Sequence, residues 1–144
     1  MQSTLTYVIT LLICISISSC CNLSECIEDG GLIKLRLLRN NKNVLYGPDA
    51  FIHQNSVRHF VLSDAELENQ VEFIDSLQAI QIFVPTGFTS IIEIAGLGSE
   101  TFNVTTEVLG DDNDCCHTYR LNSVLRNGQV ICTGECEEVI DIEI

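Results

Sequence analysis

The chain is 144 residues long and carries 20 Asp and Glu against 7 Lys and Arg, a formal net charge of −13. That balance excludes nucleic acid, whose phosphates need clustered Lys and Arg, and disfavours docking on anionic lipid heads. Regularly spaced Ile, Leu and Val set it apart from disordered acidic tails, and the lack of Trp gives no support to an aromatic platform for sugars.

Residues 1–19 contain no Asp, Glu, Lys or Arg. Their apolar run, Leu5 to Ile17, suits a signal-peptide core and falls short of the ~20 residues that a spanning helix needs. Ile17-Ser18-Ser19-Cys20 closes the run with a branched apolar residue, two small residues and a cysteine. It resembles the lipobox of bacterial lipoproteins. The resemblance implies export, cleavage before Cys20, lipidation of Cys20, and a membrane-anchored protein of the bacterial cell envelope, at the outer membrane or cell surface. The MQST start lacks the usual Lys or Arg, so an uncleaved apolar anchor and an ordinary secretory signal stand as alternatives. The expected organisation is a signal peptide over 1–19, a polar tether over 20–31 and one domain over 32–144. The mature chain would have 144 − 19 = 125 residues, enough for one core. The whole charge of −13 falls on this mature part, favouring a basic partner or a cation, or serving only solubility.

Strand signals then dominate. Ile33 to Leu38 alternates Ile33, Leu35 and Leu37 with Lys34 and Arg36, as a half-buried strand does. Asn40-Asn41-Lys42-Asn43 tolerates left-handed geometry and predicts a hairpin returning through Val44-Leu45-Tyr46, with Gly47-Pro48-Asp49 as the next turn. Val57 to Leu62, residues 70–74 and residues 79–84 follow as strands. Ser63-Asp64-Ala65-Glu66 fits a capping box, with Leu67, Val71 and Ile74 at helical spacing, so a short helix is expected near 64–70. Ser90 to Ile94, Thr101 to Leu109 and Thr118 to Leu125 are further strands, the first two joined by a Gly-rich turn at 95–99. Asn127-Gly128 is the strongest hairpin signal in the chain, pairing Thr118 to Leu125 with Gln129 to Cys132. Glu138 to Ile144 alternates to the end. Eight or nine short strands with closely spaced turns predict an all-β chain, an antiparallel β-sandwich of immunoglobulin-like or transthyretin-like type.

Cys14 would leave with the signal and Cys20 would carry lipid. The remaining six, Cys21, Cys26, Cys115, Cys116, Cys132 and Cys136, are disulfide candidates in an oxidising compartment. If Asn127 and Gly128 are the two central turn residues, Cys132 faces Ser123. The continued ladder then brings Cys136 near Cys116 if a bulge at Thr133-Gly134-Glu135 shifts the register. A bond from Cys132 to Cys136 across that bulge is the competitor. Cys115, Cys116, His117, Cys132 and Cys136 also offer ligands for tetrahedral zinc, although the adjacent pair is unusual. A thiol-redox role would prefer a Cys-x-x-Cys, which is absent.

The mature chain resembles the small lipoproteins of Bacteroidota. The resemblance rests on the Cys20-Cys21 start, the early hairpin, the Cys115-Cys116 pair, Asn127-Gly128 and the Cys132/Cys136 segment. It implies an envelope β-sandwich and carries over no catalytic residue.

Other chemistry is thin. Asp111-Asp112-Asn113-Asp114 lacks the central Gly and the terminal Glu of a calcium loop. His53 and His59 flank Asn55-Ser56, with Asp49 and Asp64 nearby, but no Gly-x-Ser-x-Gly elbow accompanies them, and His59 reads as a packing or surface residue. The expectation is a lipid-anchored envelope protein with a structural or binding role, no catalytic site and no cofactor. Its partners are the membrane, through the lipid, and a protein, but no nucleic acid. Two alternatives remain. One is an acidic inhibitor of a basic hydrolase, steered by charge; the other is a zinc or thiol-redox protein built on Cys115, Cys116, Cys132 and Cys136.

Overall fold

Strict alternation dictates the longest elements, since successive side chains of a strand point to opposite faces. The computed structural model describes residues 29–62, 67–109, 118–134, 136 and 138–144. The strands are β1 (Gly30–Arg39), β2 (Lys42–Asn43), β3 (Val57–Leu62), β4 (Leu67–Asn69), β5 (Glu72–Ile74), β6 (Ala79–Pro85), β7 (Thr89–Ile94), β8 (Gly98–Leu109), β9 (Thr118–Arg126), β10 (Gln129–Thr133) and β11 (Val139–Glu143). They form two sheets, ordered β11-β1-β6-β5 with β2 on the end of β1, and β10-β9-β8-β7-β3-β4. The chain is an all-β sandwich.

The core lies between the sheets. Ile33, Leu35 and Leu37 from β1, with Ile80, Ile82 and Val84 from β6, face Ile92 and Ile94 from β7, Phe102 and Val104 from β8, and Leu121 and Val124 from β9. Fully burying one such side chain contributes about 1.5–3 kcal/mol. Both hairpin signals act as their residues require. Asn40 and Asn41 (φ 53° and 60°) and Asn127 and Gly128 (φ 49° and 79°) take the left-handed region at both central positions of two-residue turns.

Several expectations need correction. Over its described part, 67–70, the expected helix does not form: Leu67–Asn69 is strand β4, paired antiparallel to Val61–His59, so a tertiary ladder overrides the local helical signal. Residues 63–66 lie outside the described part. The early hairpin returns for two residues only, because Leu38 pairs with Asn43 and Arg39 with Lys42 before the chain turns away. Pairing is antiparallel everywhere it is registered except between β1 and β11, which run parallel with Leu35 beside Ile140 and Leu37 beside Ile142. The expected register of the last hairpin holds for Gln129–Arg126 and Val130–Leu125. It then slips at a bulge between Val130 and Cys132, so that Cys132 faces Val124 rather than Ser123. The irregularity therefore falls earlier than Thr133-Gly134-Glu135.

Gly30 and Gly31, expected in the tether, open β1. A Cβ on Gly30 would sit 2.5 Å from the Phe83 ring, and one on Gly31 would collide with the Leu121 side chain. Gly30 marks close packing against β6 in its own sheet and Gly31 close packing across the sandwich, rather than linker flexibility.

Candidate binding surface

β1 ends at Arg39, and the chain then crosses from one sheet to the other through residues 44–56 before β3 begins. This strap is fixed by hydrogen bonds at many points. The Asn43 side-chain oxygen accepts from the Leu45 and Tyr46 amides (3.0 and 3.1 Å), while its amide donates to the Gln78 carbonyl (2.8 Å). Such an Asx turn is what Asn does at a chain reversal. The Phe51 and Ile52 amides both donate to the Val44 carbonyl (3.0 Å each), and the Ser56 amide closes a turn on His53 (2.9 Å). The Tyr46 hydroxyl donates to the Ala79 carbonyl (3.4 Å). Burial, then the nearby Asp75 carboxylate, raise the Tyr46 pKa above its ordinary value, with Gln54 partly opposing them.

Three clefts lie along the strap. Arg39, Asn40, Lys42, Asp49 and Phe51 line the first. The second, of about 540 Å³, runs from Leu45 past Phe51 and His53 to Gln54 and Asn55. The third lies between Gln54, Asn55, Arg58, Gln70 and Phe73. Phe51 is common to the first two, and Gln54 and Asn55 to the last two, so the clefts adjoin one another along the strap and together make up a trough interrupted by these shared side chains. The Arg39 guanidinium lies over the Phe51 ring, 5.9 Å from its centroid, in a cation–π contact. Phe51 is 55% exposed. Lys42 pairs with Asp49 at 3.1 Å.

The other polar constellations are structural. Glu100 and Arg126 form a two-pronged ion pair (2.7 and 2.9 Å), Arg126 also donates to the Glu143 carbonyl (2.7 Å), and the Asn127 amide donates to Glu100 (2.6 Å). The Arg126 hydrogen bonds hold the Glu100 carboxyl below its ordinary pKa, against burial, and Arg126 is raised in turn. This network joins β8 to the β9–β10 turn and to β11 in the other sheet. His59 is fully buried beside β7, and neither ring nitrogen finds a hydrogen-bond partner among the described residues. The buried Ser90 hydroxyl has none either. Burial pushes the imidazole pKa below its ordinary value, offset in part by the backbone of Gln70.

Of the sequence-derived candidates, Cys132 and Cys136 are joined in a disulfide with their Cα atoms 5.8 Å apart. The pairing of Cys116 with Cys136 is therefore not made, because Cys136 is bonded to Cys132, four residues away in sequence, and the bulge lies before Cys132. With both sulfurs bonded to each other, neither is a thiolate ligand for zinc. Among the described residues no group of three His, Cys, Asp or Glu could hold a metal ion. Cys20, Cys21, Cys26, Cys115, Cys116, His117, Asp64 and Asp111 to Asp114 lie outside the described residues. The His/Asp/Ser set is not assembled: Asp49 is paired to Lys42 on the surface while His59 is buried without a partner. Sequence reasoning missed Arg39, Phe51 and Arg58. The signal available was that four of the seven cations, Lys34, Arg36, Arg39 and Lys42, fall within one hairpin.

Comparison with protein-family models, with curated proteins and with solved structures finds no match to the chain.

Proposed function

We propose that the chain is a lipid-anchored protein of the bacterial cell envelope, akin to small Bacteroidota lipoproteins, which acts by binding rather than catalysis. Acyl chains on Cys20 would hold its N-terminus at the membrane, and the strap surface would face outward to a protein partner. The observation that carries this reading is the course of β1. It starts at Gly30, ten residues after Cys20, and ends at Arg39 beside the trough. Ten residues at ~3.3 Å each place the two ends of that strand about 30 Å apart. An anchor attached ahead of β1 would join the domain at the end of that strand opposite the trough. The strap's many backbone ties present a preformed surface, which lowers the ordering cost of binding.

The test is the intact mass of membrane-extracted protein, with and without reduction and thiol alkylation. A chain beginning at Cys20 with acyl mass added, and no alkylatable thiol before reduction, is expected. An uncleaved or unacylated N-terminus would overturn the anchor. Several free thiols would instead favour metal or redox chemistry.

A further inference from the structure

We propose that the trough binds an extended, acidic peptide segment of a partner protein, gripped by Arg39 at one end and Arg58 at the other. This deepens the binding reading above and rests on it.

The first observation is where positive charge is left over. The chain has nearly three carboxylates for every cation, and Arg36, Lys42, Arg120 and Arg126 are all engaged in ion pairs. Arg39 and Arg58 make none among the described residues, although both are exposed and Arg58 stands opposite Glu93 in the β3–β7 ladder. In so acidic a molecule, guanidinium groups outside an ion pair are the exception, and both line the trough. Stacking on Phe51 orients the Arg39 fork without neutralising it, leaving its donors for a carboxylate.

The second observation is an open sheet edge. β4 covers β3 only at His59, Phe60 and Val61. Val57 and Arg58, the preceding residues of β3, have no strand on that side among the described residues and instead line the third cleft with Asn69, Gln70, Val71 and Phe73. An uncovered strand edge is a template for an added strand, whose backbone supplies affinity while alternate side chains supply specificity. Side-chain amides of Gln54, Asn55 and Gln70 flank a floor of Val71 and Phe73, suited to a peptide backbone with an apolar residue between acidic ones. A sugar chain fits less well, because Arg39 already occupies a face of the trough's exposed aromatic ring. The negative remainder of the molecule repels long polyanions, so a short segment with a few carboxylates is selected.

The experiment is fluorescence polarisation with the purified, membrane-extracted protein and a fluorescein-labelled decapeptide alternating Glu with Val. Its Lys/Val counterpart and polygalacturonate serve as competitors. We expect saturable binding of the Glu/Val peptide that weakens several-fold as salt rises, and at least tenfold in R39Q/R58Q. The R36Q/R120Q variant, which removes the same charge outside the trough, should bind as the parent does. Absence of binding, equal binding of the Lys/Val peptide, full competition by polygalacturonate, or unchanged binding by R39Q/R58Q would each overturn the proposal. Thermal unfolding of both variants checks that the fold is intact. The anchor reading stands or falls separately, on the intact mass.

Discussion

Two polar groups enter the same inner face of the larger sheet, on either side of Ile92. His59 pairs with Ile92 from β3, and Glu100 pairs with it from β8. Their treatment differs completely. Glu100 lies near the end of the sandwich, where Arg126 and Asn127 reach its carboxylate and Arg126 continues to the Glu143 carbonyl of the opposite sheet. His59 is flanked on the inner face by aliphatic side chains and by Ser90, diagonal to it, and its ring finds no hydrogen-bond partner among the described residues. A charge at the margin is thus fully partnered, while a neutral polar group deeper in is left without partners. The contrast shows where this fold gains stability from polar residues and where it loses some.

The largest expected effect breaks the partnered side. Arg126→Met leaves Glu100 half-buried without its principal donor and uncouples the β9–β10 turn from β11. Removing a hydrogen-bonded charge partner of this kind costs about 2–3 kcal/mol. Urea unfolding should show that loss as a lower midpoint with an unchanged slope, and a change below about 0.5 kcal/mol would mean that the network is incidental. Next in size is the staple beyond that hairpin. Replacing both Cys132 and Cys136 by Ser should cost about 2 kcal/mol, because the short loop they close limits the entropy removed from the unfolded chain. Unfolding with and without reductant checks it on the unaltered protein, and equal midpoints would contradict it.

How far these regions could be read from the sequence follows from the range of the forces that set them. Val57–Leu62 is found as expected, and the two Asn-containing turns behave as their residues demand, because alternation and left-handed tolerance are local properties. β4 was hidden: Ser63, Glu66, Leu67 and Val71 carry a true helical signal, and only pairing with β3 overrides it. The parallel alignment of β1 and β11 was hidden too. Both strands alternate with the same period, so periodicity gives faces but not partners. The clefts need residues 39 to 58 to be arranged along a sheet-to-sheet crossover, for which no spacing rule exists. The partnerless state of His59 escaped notice for the same reason, since alternation along β3 placed it on a face without saying what lay opposite.

The unpartnered side predicts a gain. His59→Leu fills a similar volume with an apolar side chain and removes two unsatisfied nitrogens, which should stabilise the protein by about 1 kcal/mol. Acid separates the two sides further. Folding depresses the His59 pKa below 6.5, so the unfolded chain takes up the proton first. Stability is complete above that ordinary value and falls as pH drops from 6.5 through the folded pKa. Glu100 is likewise depressed, from 4.5, so its contribution is present above that value and is lost only at lower pH, through its own folded pKa. Midpoints measured from pH 8 to pH 3 should show an earlier decline that H59L abolishes and a later one that R126M reduces. If H59L keeps the earlier decline, His59 is not the group responsible.

The smallest effect asks whether the two unpartnered groups act separately. Ser90 pairs with Val61 and Phe102, diagonal to His59 across the β3–β7 ladder, and its hydroxyl is buried without an acceptor. Ser90→Ala should therefore stabilise by about 0.5 kcal/mol, against the usual direction for a buried substitution. Combining it with H59L gives a double-mutant cycle. If each group simply lacks partners, the two gains add to within about 0.5 kcal/mol. A combined gain well below the sum would mean that the hydroxyl and the imidazole support one another. That would place a weak polar contact at the centre of the sandwich and bring this region closer to the partnered behaviour of Glu100 and Arg126.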